Sequence, residues 1–542
     1  LKPFVARTVY PFGCPLALAE IETVMTGPLR AESVAVDMFS RLSSPTDSTD
    51  GYESSSDEEL LCSVPSTSST VSTACSCSSS QNEIARSRKK TIRNFNGTLM
   101  TRSYIRPESQ EDLVEQMQSM RAMGRPKKIA VVGAFSSFAF PQMEVGNDEA
   151  SPEDVNCSEL PHAGTLIVDM SLMNKVVSLD KDQSCVTVEA GISWESLVRF
   201  LKEHELAVEN LSAYTKVTVA GAAGTGTHGS GSNILASQFL SMQIVDAKGQ
   251  LHCIRDPKLF THLGVLGIVS TVTLRCVPLF YIKQSCYRFP ELAMLENLFG
   301  SERLMVKALE ENFSMMLRIS IKDAGHPVLC FLRKKAVDGM DDIHNETFFE
   351  APLVRGCLSN NYGGRQSTEK TTLTDCYDAI LPDHSTLSRP SDAPMPYYQG
   401  EYFVPLADSL EAIKAFLMQA KKNASFEKVL PSGFKIRFVR SDDHYMSPCT
   451  NLPRTPFFLA FQLSLYGSYH EVDAVLKDIE DGFQHANVLF TSHWGKCTHG
   501  GHAEINGHMK DQAELFNEKR AMFDPENCFL WENSELGKLL LA

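Results

Sequence analysis

Apolar and polar positions along most of the chain follow two spacings, one typical of helices and one of strands. The segment Arg106–Gly124 begins with a capping box at Ser109, continues with apolar residues at helical spacing and ends in glycine, which predicts a helix. The β-branched run Lys128–Val132 and two longer runs, Val245–Cys253 and Leu266–Val277, are predicted to be strands. Helices and strands therefore interleave without the regular alternation of a parallel α/β fold, which predicts a mixed architecture.

The second half of the chain mixes two predicted helices, Ala407–Lys421 and Glu471–Glu480, with strands such as Phe434–Val439. Residues 40–80 differ, because they are rich in serine and threonine and poor in large apolar groups. Such a stretch cannot bury enough apolar surface to offset its ordering entropy, so we predict disorder there. The serines beside Asp57 leave two interpretations open, a solvated tail or a target of an acidophilic kinase.

The composition is that of a globular protein, with 43% hydrophobic and 22% charged residues in a chain of 542. This length suggests about three structural units. The net charge of −15 makes the phosphate backbone of nucleic acids a poor partner. No run approaches the roughly 20 apolar residues that span a bilayer, so we expect no integral membrane segment.

The cysteines and the first residue bear on the cellular compartment. The 15 cysteines form no CxxC pair, so reduced thiols are expected rather than disulfides or a metal site. The chain begins with Leu rather than Met, so a targeting signal upstream would be invisible. We expect a cytoplasmic location, while association with an organelle or with a membrane surface stays open.

The densest chemical signal is the glycine-rich run Val219–Gly231. Glycines at this density let a backbone approach a ligand closely and point N–H groups at phosphate oxygens. Gly224, Gly226 and Gly229 match the dinucleotide fingerprint GxGxxG, but residues 230–233 (Ser-Gly-Ser-Asn) are a poor helix start. A nicotinamide dehydrogenase is therefore the weakest alternative. No Gly-Lys-Ser/Thr follows, which excludes a nucleoside triphosphatase P-loop.

Several motifs in a fixed order resemble one family. The sequences "GTGTHGSG" (Gly224–Gly231), "LGVLGIVSTVTL" (Leu263–Leu274), "HWGK" (His493–Lys496) and "DPENCFL" (Asp524–Leu530) are similar to those of the vanillyl-alcohol-oxidase superfamily of FAD flavoproteins. The likeness is greatest to the alditol oxidases and the sugar-1,4-lactone oxidases, which include L-gulonolactone and D-arabinono-1,4-lactone oxidase. It runs from about Asn94 to the C-terminus.

This resemblance implies an α+β fold with two domains. Residues 91–281 would form an FAD-binding domain of the p-cresol-methylhydroxylase/vanillyl-alcohol-oxidase type, itself built from two subdomains. Residues 282–542 would form a substrate, or cap, domain with a central antiparallel sheet, and residues 490–542 would return to the flavin. Residues 1–90 would be an N-terminal extension.

The resemblance also implies the site. FAD would lie between two segments, with these cofactor-binding residues: Gly133, Ala134, Phe135, Ser136, Ser137, Gly224, Thr225, Gly226, Thr227, His228, Gly229, Ser230, Gly231, Gly267 and Ile268. Arg437, His493 and Lys496 would be catalytic. Hydride would pass from a substrate carbinol to flavin N5, and oxygen or an electron carrier would then accept the electrons.

Four positions depart from the family pattern around the flavin. Covalent members carry Gly-His-Ser-Phe where this chain has Phe135-Ser136-Ser137-Phe138. Because serine has no nucleophilic ring nitrogen, Ser136 predicts noncovalent FAD, and Phe135 takes space that glycine leaves to the flavin. The Ala-Ser pair that controls oxygen access and contacts substrate in alditol oxidases is reversed to Ser212-Ala213, which we assign to substrate binding.

A further departure changes the charge of the predicted pocket. Relatives read Glu-x-Arg where this chain reads Lys435-Ile436-Arg437. Strand alternation places Lys435 and Arg437 on one face, and with Lys496 they would give three positive groups. Such a pocket favours a carboxylate or phosphate over a neutral polyol, so Lys435 is the predicted substrate-selecting residue.

Two functions of different class follow. The first is an FAD-dependent oxidase or dehydrogenase that acts on a CH–OH group of an aldono-lactone, an alditol or a sugar acid. The second is a flavin-binding or flavin-free pseudoenzyme with a regulatory serine-rich tail, suggested by the loss of His, Glu and Ser at Ser136, Lys435 and Ala213. Reduction of the flavin by a sugar-derived substrate distinguishes the two.

Overall fold

The structure is a computed structural model that describes residues 88–93, 99–124, 126–139, 165–229, 231, 233–322, 327–336, 346–354, 372–382, 396–450 and 455–542. The chain divides by its contacts into Leu1–Asp57 and Glu58–Ala542, and every described residue lies in the second unit. The predicted disordered stretch 40–80 lies outside the described residues.

The strands and helices are numbered in chain order. The strands are β1 Arg88–Arg93, β2 Leu99–Ile105, β3 Lys128–Val132, β4 Thr165–Asp169, β5 Val176–Asp180, β6 Cys185–Glu189, β7 Leu206–Ala207, β8 Phe239–Val245, β9 Leu251–Ile254, β10 Ile268–Arg275, β11 Val277–Pro278, β12 Tyr281–Phe289, β13 Ser314–Ile319, β14 Val328–Lys335, β15 Thr347–Phe348, β16 Ala351–Pro352, β17 Thr372–Cys376, β18 Tyr397–Pro405, β19 Phe434–Arg440, β20 Phe457–Tyr466 and β21 Thr491–Ser492. The helices are α1 Gln110–Ala122, α2 Trp194–Glu203, α3 Val219–Gly224, α4 Leu295–Phe299, α5 Glu302–Glu310, α6 Tyr377–Ile380, α7 Ser409–Lys422, α8 Ser425–Val429, α9 Tyr469–His485, α10 His502–Ile505, α11 Lys510–Phe523 and α12 Glu535–Leu540.

Helix starts follow the capping signals in the sequence. The side chain of Ser109 accepts a hydrogen bond from the N–H of Asp112 and begins α1. In α9, Ser468 and Glu471 form a full capping box, so two free backbone donors are satisfied reciprocally. Helix α3 begins at Thr218, which caps the N–H of Gly221. This last cap fixes the first turn of the glycine-rich run.

Two small sheets form the first half of the described chain. One has the order β1-β2-β4-β3, in which β4 runs parallel to both β2 and β3. The other is antiparallel with the order β5-β6-β10-β8-β9. One hydrophobic core covers both sheets with α1, α2 and α3. The first predicted site segment leaves the carboxyl end of β3, and the second is α3 with the loop that follows it.

The second half is built on an eight-stranded sheet with the order β17-β12-β14-β13-β19-β20-β18-β21. Helices α7, α8 and α9 pack on one face with a separate core of aromatic and aliphatic side chains. The ring of Phe416 in α7 lies 4.2 Å from that of Phe434 in β19, between centroids, with a tilt of 36° between the ring planes. Because neighbouring residues of a strand point to opposite faces, Arg437 lies on the other face of the sheet.

The mixed helix-and-strand fold is confirmed, with one correction to an element. Residues 245–253 were expected as a single strand, but β8 ends at Val245 and β9 begins at Leu251. Asp246 accepts hydrogen bonds from two N–H groups of the intervening turn, and Gly249 has φ of 76°. The segment 245–253 is therefore a hairpin, because Gly249 supplies the left-handed conformation that the turn needs.

In the part of the chain that the structure describes, no helix is long and apolar enough to cross a bilayer. The cysteines described are free thiols. Among the same described residues, no three His, Cys, Asp or Glu side chains are grouped so that they could hold a metal ion.

Candidate functional site

A cleft with about 1560 Å³ of empty volume, partly open to solvent, brings together the two predicted segments and one face of the eight-stranded sheet. The predicted residues that line it are Gly133, Ala134, Phe135, Ser136, Ser137, Ser212, Ala213, Gly224, Thr225, Thr227, His228, Gly267, Arg437, His493 and Lys496. Gly226, Gly229, Gly231, Ile268 and Lys435 are not among the lining residues, and Ser230 lies outside the described residues.

The segment after β3 offers a row of free backbone donors. Within the described part of the chain, the N–H groups of residues 134–137 have no hydrogen-bond partner, whereas the next N–H, of Phe138, donates to the carbonyl of Gly495. Phe135 has φ of 53°, a left-handed conformation that glycine adopts without cost. Successive N–H groups around such a residue form a concave donor surface that suits an anion.

The glycine-rich run differs from the segment after β3, because several of its N–H groups are bonded within the protein. The N–H groups of Gly226 and Thr227 donate to carbonyls of α3, and that of Gly231 donates to the side chain of Asn210 at 2.9 Å. A Cβ on Gly226 would lie 2.5 Å from Pro448, and one on Gly229 would lie 1.9 Å from the carbonyl oxygen of Leu211. These glycines admit neighbouring protein atoms rather than a phosphate.

Asn210 holds the loop after α3. It is buried, and its Oδ1 accepts from the N–H groups of Leu211 and Gly231, both at 2.9 Å. Its Nδ2 donates to the carbonyl of Asn233, and its backbone is bonded in both directions to Gln238. The density of glycine in this loop follows from the close approach of this amide, since a Cβ on Gly231 would lie 2.6 Å from Oδ1.

Opposite these segments, three strands present a row of polar side chains in register. Lys435 of β19 pairs with Gln462 of β20, which pairs with Glu401 of β18. Gln462 and Glu401 line the cleft, as does Arg437, two residues along β19 and only 2% exposed. Lys435, although on the same face by alternation, lies beyond the lining. Of the three cations in the predicted cluster, Arg437 and Lys496 line the cleft and Lys435 does not.

The HWGK turn supplies two further lining residues. Lys496 Nζ donates a hydrogen bond to Gln399 Oε1. Burial lowers the pKa of Lys496, and the nearby Glu401 carboxylate opposes this shift. Burial also lowers the pKa of His493 to about 3, so its ring is neutral at pH 7.

The tautomer of His493 follows from its partners. Its Nδ1 accepts from the N–H of Gly495 at 3.0 Å, so the proton of the neutral ring sits on Nε2, which faces Thr227 Oγ1 at 3.4 Å. Both ring nitrogens are thus engaged with the protein. His493 lies at the site as predicted, but these contacts make it a support for the turn.

Glu401, Gln399 and Gln462 are lining residues that the sequence reasoning missed. Glu401 lies 3.0 Å from the Nε2 atom of His228. Burial alone would raise the pKa of Glu401, but the charge and hydrogen bond of His228, with His493 and Lys496, lower it to about 2. The motif "QGEYFVP" contains both Gln399 and Glu401, and strand alternation would have placed them on the face of the cleft.

Gln462 has an acceptor with no partner. Within the described residues its buried Oε1 makes no hydrogen bond. A buried amide left unsatisfied costs free energy, and such a group in a cleft is typically satisfied by water or a ligand. Ser212, of the reversed pair Ser212-Ala213, does have a partner, since its hydroxyl donates to the carbonyl of Tyr214 at 2.7 Å.

Comparison with known proteins fits this geometry. Residues 153–255 match the family model for an FAD binding domain. Bovine L-gulonolactone oxidase is 33% identical over 36% of this chain and 42% of its own length. Mitochondrial L-galactono-1,4-lactone dehydrogenase of Arabidopsis thaliana is 31% identical over 34% and 29%, respectively. The chain thus matches less than half the length of these curated relatives.

Two further comparisons extend over most of the chain. L-gulono-1,4-lactone dehydrogenase of Mycobacterium tuberculosis is 22% identical over 79% of this chain and 93% of its own length. The crystal structure of cholesterol oxidase from Brevibacterium sterolicum superposes with a TM-score of 0.61 at 14% identity and covers 84% of this chain, a likeness of fold alone. The resemblance inferred from the motifs is confirmed: this chain contains an FAD-binding domain and is related in sequence to the sugar-lactone oxidases and dehydrogenases.

Proposed function

We propose that this protein is an FAD-dependent oxidoreductase that oxidises a CH–OH group of a sugar-derived substrate and holds its FAD noncovalently. The observation that carries the proposal is that one cleft has free N–H donors at residues 134–137 on one side and the cations Arg437 and Lys496 on the other. The named lactone oxidases and dehydrogenases among the relatives support the same reaction class.

The residues present fit FAD. The donors of residues 134–137 suit the pyrophosphate, because a row of N–H groups around a left-handed residue neutralises anionic oxygens without a cation. The hydroxyl of Ser136 donates to the carbonyl of Ala134 at 3.3 Å, and serine offers no ring nitrogen for a histidyl bond. Noncovalent binding follows. When bound, FAD supplies the two-electron acceptor for the carbinol.

The chain's own residues then orient the substrate and hold charge. Arg437 is buried on the sheet face and keeps a fixed positive charge beside the cleft. Lys496 adds a second cation whose position is set by Gln399. Preorganised donors of this kind stabilise oxygen atoms that gain negative charge during reaction. His493 would not be the base for the proton of the substrate hydroxyl, because both of its ring nitrogens are engaged with the protein.

The side chains on the cleft-lining face of the eight-stranded sheet also indicate the class of substrate. Gln462 Oε1 is a buried acceptor and would receive a hydrogen bond from a sugar hydroxyl. Arg437 and Lys496 favour an oxygen-rich group with negative character, such as a lactone carbonyl or a carboxylate. Lys435, one strand from Gln462, would add to this preference at longer range. We therefore propose aldono-lactones and sugar acids ahead of neutral alditols.

The experiment is anaerobic reduction of the bound flavin, followed by stopped-flow absorbance. Gulono- and galactono-1,4-lactone, the matching sugar acids and an alditol are the substrates. We expect reduction by at least one lactone or acid, and Arg437→Met should slow it by about 100-fold or more. Arg440→Met is the matched control, since Arg440 ends the same strand but lies outside the cleft.

Two results would count against the proposal. Equal reduction rates in Arg437→Met and Arg440→Met would remove Arg437 from the reacting centre. Failure of every sugar-derived substrate to reduce bound flavin in the unmodified protein would favour the flavin-binding pseudoenzyme instead.

A further inference from the structure

A buried charge pair joins the glycine-rich loop to the sheet. His228 Nε2 lies 3.0 Å from Glu401 Oε1, and the two side chains are 2% and 7% exposed. The residues are 173 positions apart, one in the loop after α3 and one in β18. No other ion pair of the described residues links this loop to the eight-stranded sheet.

The partners of His228 fix its protons. Its Nδ1 lies 3.0 Å from the carbonyl oxygen of Gly229, and a carbonyl only accepts, so Nδ1 carries a proton. Its Nε2 faces a carboxyl oxygen, so a second proton lies between Nε2 and Glu401. The two side chains therefore form one hydrogen-bonded pair that spans the loop and the sheet.

The surroundings hold this pair in place. The ring of Phe403 lies edge-on to His228 at 5.3 Å and stacks on His493 at 6.4 Å, between ring centroids. Lys496 Nζ is held by Gln399, which lies two residues from Glu401 on the same face of β18, and the negative charge of Glu401 raises the pKa of Lys496 against the effect of burial. The groups that face Glu401 are thus His228 from the loop, His493 and Lys496 from the turn after β21, and the neutral Cys449 thiol.

We propose that Glu401 is a positioning residue that locks the cofactor-side loop to the reactive face of the sheet and keeps Lys496 charged. The inference rests on the proposed function for its kinetic part, because Lys496 matters only if the cleft is catalytic. It assigns to one carboxylate two separable tasks, a geometric one through His228 and an electrostatic one through Lys496.

Two substitutions separate these tasks. In Glu401→Gln, the amide donates to Nε2 of a neutral His228, so the contact is kept while the negative charge is lost. In Glu401→Leu, both are lost and His228 Nε2 is left without an acceptor. Glu480→Gln is the matched control. Glu480 is also a buried carboxyl bonded to β18, through the hydroxyl of Tyr402, but it does not line the cleft.

Three measurements follow on the full chain. The dissociation constant of FAD is measured by flavin fluorescence on apoprotein, and the protonation of His228 by ¹⁵N-histidine NMR, with His228→Gln identifying the signals. The pH profile of flavin reduction reports Lys496. We expect Glu401→Gln to keep FAD affinity within about threefold and to move the alkaline limb down by about one pH unit. Glu401→Leu should also weaken FAD by about tenfold.

The failures are distinguishable. An alkaline limb that stays in place in Glu401→Gln, or moves equally in Glu480→Gln, would overturn the electrostatic task. Doubly protonated His228 in Glu401→Gln would overturn the proton assignment, and unchanged FAD affinity in Glu401→Leu would overturn the geometric task. Absence of flavin reduction in the unmodified protein would refute the proposed function, while the NMR result would still decide the pairing of Glu401 with His228.

Discussion

At the residue scale, the neighbouring residues Phe135 and Ser136 bear most directly on the proposed binding of a flavin in this cleft. Phe135 occupies a left-handed backbone conformation, φ of 53°, where the family has glycine. A side chain there costs roughly 1 kcal/mol, which packing against the cluster of Ala130, Val132, Ile167 and Trp531 offsets. Ser136 stands where the resemblance places the covalent histidine, so the proposed FAD site would have no histidyl link but would keep the free N–H groups of residues 134–137.

A prediction for Ser136 follows from those donors. Ser136→Asp places a carboxylate beside the N–H groups of residues 134–137, where it competes with and repels the pyrophosphate. We expect its affinity for FAD to fall by about 100-fold, a loss near 3 kcal/mol. Ser136→Asn, nearly equal in size but uncharged, is the control and should stay within a few-fold. Fluorescence titration of apoprotein measures both, and equal losses would exclude the electrostatic cause.

The sequence predicted site residues best where a motif carries the residue. Fifteen of the predicted positions line one cleft. Their spacing along the sequence, from residue 133 to residue 496, does not by itself show that they lie close together in space. Glu401 and Gln462 were missed because their importance comes from cross-strand register with Lys435, and register depends on tertiary pairing. His493 lines the cleft, whereas the engagement of its ring nitrogens depends on the fold of the turn and has no local sequence pattern.

At the scale of an element, the loop after α3 is organised by an amide rather than by a ligand. Glycine-rich runs before a phosphate and glycine-rich runs around a buried side chain have the same composition. Only the contacts of Asn210 with Gly231 and Leu211 distinguish them. The sequence predicted the position of this loop in the site, whereas the direction of its N–H groups required the structure.

Asn210→Ala should therefore act through the loop. The substitution leaves the buried N–H groups of Leu211 and Gly231 without an acceptor, so the free energy of unfolding should fall by about 2–3 kcal/mol. Urea unfolding measures this loss. Asn174→Ala is the control, because the Asn174 side chain is exposed and makes one hydrogen bond, to Ser171. A loss no larger than that of the control would show that Asn210 does not hold the loop.

At the scale of the whole molecule, the mixed architecture followed from periodicity, but the eight-stranded sheet did not. Its order pairs β13 with β19 and β18 with β21, across more than a hundred and about ninety residues, respectively. Such non-local pairing leaves no local pattern. The hydrophobic alternation of β19 did predict which residues of that strand share the face of Arg437.

Stability should fall as the pH drops below 6.5. Burial lowers the pKa of His262, His444 and His502 to about 4 and that of His493 to about 3. Each ring is neutral when folded and takes up a proton on unfolding between its folded pKa and about 6.5, so acid favours the unfolded state. Asp442 opposes this, because burial raises its pKa to about 7 and the folded state then binds the extra proton.

Urea unfolding at half-unit steps between pH 4 and 7 measures this dependence. His444→Gln, outside the cleft, should make the acid loss shallower by about one proton, or about 1.4 kcal/mol per pH unit. A slope identical to that of the unmodified protein would show that His444 is protonated in the folded state.

The central claim is that the cleft binds FAD without a covalent bond. The most direct test is the visible spectrum of the protein saturated with FAD and freed of excess, repeated on supernatant and pellet after acid precipitation. We expect a flavin spectrum of about one equivalent that moves wholly into the supernatant. Flavin retained in the pellet would contradict the assignment of Ser136, and a protein that retains no flavin after saturation would contradict FAD binding itself.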